Sequence, residues 1–382
     1  MGRPARLPIA DDSPAARGRL RVVAWQDVAN DPAVMAQWTR LARETVEPNP
    51  FYAPWALLPA LRTYDAAGRC VVLLIEHGNR LTGLMPVSTP LAYYGYPVPH
   101  YRNWVHDHAF LGAPLVAPGV AHDFWTDVLG WMDGTAGSKL FLHLSHLDAD
   151  GTLARALGDV LQSPSRDHAV VHEEERAFLH SDRSSTAYFN AALSGKKRKE
   201  LRRQERRLGE AGTLECKRDT GNEYLDAWTT DFLALERSGW KGRAGSALAN
   251  AEATAMLFSD TLHHAAQAGV LERLSLTLDG KPIAMLANFL TPPGAFAFKT
   301  AFSEDFARYS PGVLLQRHNL ALLDRAEIDW CDSCAAADHP MIDHIWRERR
   351  RMVRMSIAIG GTTRRALFSR LLAHETRERV DA

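Results

Sequence analysis

Two stretches of this chain, IEHGNRLTGLMPVSTP from Ile75 and TLDGKPIAMLANFLTP from Thr277, follow one plan: an apolar run, a turn containing glycine, an apolar return and a Thr-Pro stop. Apolar runs flanking a two-residue turn are the mark of a β-hairpin. Laid glycine on glycine, the two lie 202 residues apart in a chain of 382. A spacing of a little over half the length predicts two similar domains, because single cores stop growing well before this size.

The flanking segments fit that division. Residues 20–23 read as a strand, 124–132 as a helix and 140–144 as a strand, with a proline-rich loop over 88–120. Residues 184–212 read as helical, with Ser194 as a cap and Gly209 and Gly212 as stop signals. Helices are expected over 227–237 and 249–268, strands over 274–278, 283–290 and 296–302, a helix over 310–325, and strands over 328–331 and 352–359. The expected fold class is α/β, with mixed central sheets flanked by helices. The domains are placed at residues 21–180 and 181–372, between a disordered tail at 1–20 and a frayed one at 373–382.

Lysine plus arginine equals aspartate plus glutamate at 45 each, so net charge points to neither nucleic acid nor membrane. No run of 18 apolar residues occurs, and no membrane span is expected. Four cysteines (Cys70, Cys216, Cys331 and Cys334) are too few for a disulfide framework, and a reducing cytoplasm is the setting they fit. No nucleophile elbow, Walker loop or dinucleotide fingerprint is present.

Several segments, taken in order, carry a resemblance: KKRKELRR from Lys196, LERSGWKG from Leu235, LDGKPIA from Leu278, FKTAF from Phe298 leading to Ser310-Pro311-Gly312, and Asn49-Pro50-Phe51 in the first half. Together they resemble the GNAT acyltransferase domain of the cellulose-biosynthesis-type acetyltransferase family, itself similar to the Fem-type transferases of peptidoglycan bridges. The resemblance covers residues 180–350 well and 20–180 loosely. It implies two tandem GNAT-like domains, acyl-CoA (acetyl-CoA) as donor, and an amine or hydroxyl acceptor on a small molecule or an envelope or polysaccharide precursor. Asp338-His339-Pro340 with Trp346 resembles the family's closing motif. Met341, Ile342 and Asp343 stand here where that motif usually has a Tyr-Lys pair.

Donor binding is expected at Arg308, Tyr309, Ser310, Pro311, Gly312 and Val313. A helix start leaves amides unpaired and carries partial positive charge, which suits a pyrophosphate. The usual GNAT loop has two spaced glycines; this chain has only Gly312. Glu236 is the candidate general base and Lys299 the candidate carbonyl-polarising or phosphate-binding cation. Strand alternation puts Ala297, Lys299 and Ala301 on one face and Phe296, Phe298 and Thr300 on the other. The thioester carbonyl is expected against a splayed strand near residues 286–289. Phe51, Tyr52, Trp240, Lys241 and Asp338 are expected to line the acceptor cleft. His100, His106, Asp107 and His108 either line an acceptor pocket or form a structural loop.

From Lys196 to Arg207, eight of twelve residues are lysine or arginine. Such a helix is either a solvated charged face or the contact for a phosphate-rich partner, whether nucleotide, lipid headgroup or tRNA. Cys331 and Cys334 with His339 and His344 have spacings too short for a zinc finger, and no metal is expected. The alternatives to acyl-CoA transfer are an aminoacyl-tRNA-dependent Fem-like reaction and a non-catalytic GNAT-fold module for polysaccharide production.

Overall fold

The computed structural model describes residues 18–162, 166–337, 339 and 341–380, the last seven by backbone alone. Thirteen strands are described: β1 (Arg19–Ala24), β2 (Val71–His77), β3 (Arg80–Ser88), β4 (Tyr101–Asn103), β5 (Leu115–Val116), β6 (Phe141–Asp148), β7 (His168–His180), β8 (Leu214–Thr220), β9 (Leu271–Leu278), β10 (Lys281–Thr291), β11 (Gly294–Phe302), β12 (Trp330–Asp332) and β13 (Glu348–Ala358). All belong to one mixed sheet in the order β1-β2-β3-β4-β6-β13-β7-β12-β11-β10-β9-β8, with β5 on β3. The expected tail largely lies outside the described residues, but its last two residues already open β1. The expected frayed end is helical backbone as far as Val380.

The two hairpins are repeats of each other in register. The pairs Glu76–Leu81 and Ile75–Gly83 flank a bulge in the first; Thr277–Pro282 and Leu276–Ala284 flank one in the second, 201 residues on. Aligning glycines misplaces the repeat by one residue because the turns differ. Gly78 takes a positive φ of 60° at the first turn position, whereas Asp279 and Gly280 both do, at 49° and 76°. Two-residue hairpin turns demand left-handed backbone at one or both positions, and glycine serves whichever is the more strained.

The halves are joined by the last strand. β13 runs antiparallel to β6 on one edge and β7 on the other, so the sheets expected for two separate domains are continuous. β7 and the first turn of β13 are too charged to read as strands from sequence. Their two buried charges, Arg176 and Arg350, are matched inside the protein. Arg350 donates to Asp148 at 2.8 Å and to Asp332 at 2.8 Å, and Arg176 donates to Asp332 at 2.6 Å. This ion chain crosses four strands at the seam. Buried charges are tolerable only when paired in this way.

One apolar core also spans the halves. Phe51 of the first half meets Phe296 at 5.9 Å and Phe298 at 6.0 Å between ring centroids. Two helices, Leu225–Ser238 and Glu252–Gln267, cover this face with Phe232 and Phe258. The other face of the second half carries the helices Gly195–Ala211 and Pro311–Asn319. The stretch expected as one helix over 184–212 breaks at Leu193–Ser194, and Ser194 caps the second piece by accepting from the Lys197 amide at 3.3 Å.

Candidate active site

β11 is where the second half opens. It pairs with β12 only from Gly294 to Phe296, in parallel, after which its outer edge has no strand partner among the described residues. The splay expected near residues 286–289 therefore falls one strand over: those residues lie in β10, which is paired on both edges. The register between β10 and β11 shifts as well. Ala287 faces Lys299 and Asn288 faces Ala297, leaving Phe298 as an extra residue. A bulge reverses the alternation beyond it. Phe298 and Ala301 accordingly share the inter-half core, and Lys299 lies against it with them, not on the Ala297 face.

The displaced Lys299 is held in a poor place for a charge. Its Nζ lies 5.0 Å from the Phe110 ring centre, 5.6 Å from that of Phe298, and 3.2 Å from His108 Nδ1. Burial, and then the Lys241 cation, bring its pKa from 10.5 down to about 8. Burial followed by Lys299 and Lys241 brings His108 down to about 4, and burial followed by His108 and Lys299 brings His106 to about 3. The pair Lys299–His108 is thus an ammonium that gives up its proton far more readily than an ordinary lysine, set against a neutral imidazole and spanning the two halves.

Glu236 stands behind it, 4% exposed. One carboxylate oxygen accepts from Lys241 Nζ at 2.8 Å and the other from the Leu248 amide at 2.8 Å. The same ammonium donates to the Thr300 carbonyl on β11 at 3.3 Å. Lys241, expected in the acceptor cleft, is therefore paired with the chain's own glutamate, and Glu236 has both oxygens engaged. Beside this group, Phe51, His106, His108, Phe289 and Phe298 border a small, mostly apolar cavity of about 20 Å³.

The helix Pro311–Asn319 begins past the open end of β11. Ser310 is left-handed at φ 53° and its side chain makes no capping bond. Among the described residues, no protein acceptor meets the Gly312 or Val313 amide, which leaves both as donors. Gly312 has a packing reason of its own: a Cβ there would lie 2.1 Å from Met341 Sδ. Arg308 is exposed and lies over the Tyr309 ring at 4.6 Å. The basic helix Gly195–Ala211 packs alongside, with Gln204 donating to the Arg308 carbonyl at 3.2 Å.

Other expected residues scatter. Tyr52 is fully buried in the first half, its hydroxyl donating to the Trp104 carbonyl at 2.9 Å, away from the cleft. Phe51 is a core bridge bordering the small cavity. Trp240 is half exposed, its amide given to Glu304 at 2.7 Å. Asp338 lies outside the described residues. Cys331 and Cys334 are buried free thiols, pushed up first by burial and then, for Cys331, by Cys334 and, for Cys334, by Asp332, and such thiols stay protonated. Among the described residues no three metal-ligating side chains gather, and no helix is long and apolar enough to cross a membrane.

Sequence reasoning passed over His108 as a partner for Lys299. The signal was the crowding of His106, Asp107 and His108 in one loop. Their partner lies 191 residues away, and only the joined halves bring the two together.

A hairpin followed by a splayed strand and a helix start, set in a doubled sheet, defines the GNAT fold in tandem. Residues 195–340 match the acetyltransferase (GNAT) domain family. No curated protein matches the chain. Among solved structures, FemX is 9% identical with a TM-score of 0.56, covering 85% of this chain and 96% of its own. The C-terminal domain of a protein described as a lysylphosphatidylglycerol synthetase from Agrobacterium fabrum is 15% identical, with a TM-score of 0.52 over 87% of this chain and 94% of its own. The L-PGS of Bacillus licheniformis is 12% identical, with a TM-score of 0.51 over 89% and 96%. At these identities the likeness is one of fold.

Proposed function

We propose that this protein transfers a small acyl group, acetyl in the first instance, from acyl-CoA to an amine or hydroxyl of a small molecule or an envelope or polysaccharide precursor. What carries the reading is the open edge of β11 running towards two unpaired amides at Gly312 and Val313. Those amides and the helix dipole are suited to the donor's pyrophosphate. Bound donor supplies the activated thioester. The 20 Å³ cavity beside Phe298 has room for a group about the size of a water or methyl, which favours acetyl over longer chains.

Lys299 is the proton acceptor in this proposal. Its neutral amine takes the proton of the attacking acceptor as the new N–C or O–C bond forms and the C–S bond breaks. The coenzyme leaves as a thiolate, and the same ammonium, or water, returns a proton to it. His108, bonded to Lys299, holds the amine in place from the first half. Glu236 and Lys241 are positioning residues: Lys241, anchored by Glu236, keeps a second positive charge near Lys299 and favours its neutral form.

The test is thiol release from acetyl-CoA across a panel of amino sugars, amino acids and hydroxylated sugars. Turnover with at least one acceptor, lost in Lys299→Met, is the expected result; thiol release that Lys299→Met leaves intact refutes the assignment. A second reading, aminoacyl-tRNA as donor, is supported by the exposed basic helix beside the donor helix start. Binding of tRNA lost on charge reversal at Arg202 and Arg206, with no binding of acetyl-CoA, would favour it.

A further inference from the structure

A second cavity, of about 420 Å³, shares His106 with the small apolar one and is bordered as well by Asp107, Ala109 and Phe110 of the same loop. Its lining is charged. Arg102, Arg176, Arg354 and His146 face it together with two carboxylates, the exposed Asp107 and the half-buried Glu174. The arginines are not used up by the protein. Arg102 makes no side-chain hydrogen bond or ion pair among the described residues, and its buried Nε is unpartnered. Arg176 is 3% exposed and gives one Nη to Asp332, yet its Nε is also buried and unpartnered. Arg354 donates weakly, at 3.4 Å, to the Tyr94 hydroxyl. His146 Nδ1 is buried without a partner too. Orphaned buried donors carry a desolvation cost that a bound acceptor relieves.

The backbone is deformed at this spot. Both neighbours of β13 bulge against it at one residue, Arg354. β6 places Ser145 and His146 opposite it, and β7 carries Val171 as an extra residue beside it. His146 sits at φ 55°, a conformation a β-strand residue adopts only under constraint. Bulges of this kind re-aim side chains, and here two of them converge where His146 and Arg354 border the cavity.

We propose that this cavity is an anion-binding site that takes a carboxylate or phosphate group of a small molecule, held by Arg102, Arg354 and the free Nε of Arg176. Guanidinium forks match either oxyanion with paired, charge-assisted hydrogen bonds. His106 borders both cavities, so an anion anchored here is one shared side chain away from the small cavity that His108 also lines. The identification of the anion as one end of the acyl acceptor rests on the proposed transfer; the anion site itself does not.

The experiment is calorimetric titration of the full chain with inorganic phosphate and, separately, with succinate, in the presence and absence of saturating acetyl-CoA. Saturable binding of at least one anion is expected, weakened at least tenfold in Arg354→Gln and in Arg102→Gln and unaffected by acetyl-CoA. Phosphate alone would mark a phosphorylated ligand, and succinate alone a carboxylated one. Arg354 is partly exposed, which keeps that variant a fair test should Arg102→Gln misfold. A second readout is the His146 imidazole, held at about 4 by burial and then by Arg354 and Arg176. A bound anion favours its charged form, so its titration midpoint rises. No binding of either anion, binding that survives in Arg354→Gln, or displacement by acetyl-CoA overturns the proposal. Failure of acetyl-CoA itself to bind would strike the donor reading and leave this site standing.

Discussion

Lys299→Met separates the role of this amine from its packing. Methionine keeps the length and apolar stem of lysine but cannot take a proton. With a pKa of about 8 rather than 10.5, about 9% of Lys299 is neutral at pH 7, about 300-fold more than for an ordinary lysine. That enrichment lies within the range a positioned base contributes to catalysis. Activity per donor bound should rise tenfold per pH unit up to about 8 and then level off, and the variant should lose this limb along with two to four orders of magnitude in rate. Stability should move the other way. The folded pKa lies below the unfolded one, so between about pH 8 and 10.5 the unfolded chain holds more protons and the wild type gains stability as pH rises, by about 3 kcal/mol in all. Lys299→Met should lack that slope and be more stable than wild type at pH 7. The assays are chemical denaturation at several pH values and 13Cε-lysine NMR, in which one resonance titrates near 8 and vanishes in the variant. A Lys299 resonance titrating at 10.5, or a variant that keeps both activity and the slope, refutes the reasoning.

Lys241→Met removes the nearest repelling cation while leaving Glu236 unbalanced, so the Lys299 midpoint should climb towards 10.5, as the same NMR titration will report. Asp332→Asn leaves Arg176 and Arg350 buried against a neutral amide at the seam and should cost about 3–5 kcal/mol by urea denaturation. Burial pushes the Asp332 carboxyl up, but Arg176 and Arg350 outweigh it and hold the group below its usual range. Its contribution is therefore present above the unfolded pKa and lost as pH falls through the folded one, and acid unfolding of the wild type should be steeper than that of Asp332→Asn. Gly312→Ala should cost about 1–3 kcal/mol through collision with Met341, and combining it with Met341→Ala should recover much of that loss in the same denaturation assay.

The hairpins, the helix start at Pro311 and the mixed α/β plan were legible because each rests on local chemistry: turn glycines, apolar periodicity and a proline at the first helical position. Three things were not. The joining of the halves depends on β13, whose RRR opening reads as solvent-facing until Asp148 and Asp332 are seen opposite it. The face taken by Lys299 depends on a bulge set by the pairing of β10 with β11, and alternation along one strand cannot reveal that. The Lys241–Glu236 bond spans only five residues, but it forms across a glycine break between two helices. Tyr52 misled because an aromatic beside a Pro-Phe segment looks like a cleft wall, whereas its hydroxyl is needed to satisfy a buried carbonyl at Trp104.

The most direct measurement is titration calorimetry of acetyl-CoA into the wild-type chain and into Ser310→Asp. Aspartate tolerates the left-handed backbone at this position, so the variant changes charge beside the two amides with little change in shape. One acetyl-CoA per chain, bound at least tenfold more weakly by Ser310→Asp, is the predicted result. No binding, or equal binding by both proteins, would contradict the assignment of the donor to this helix start.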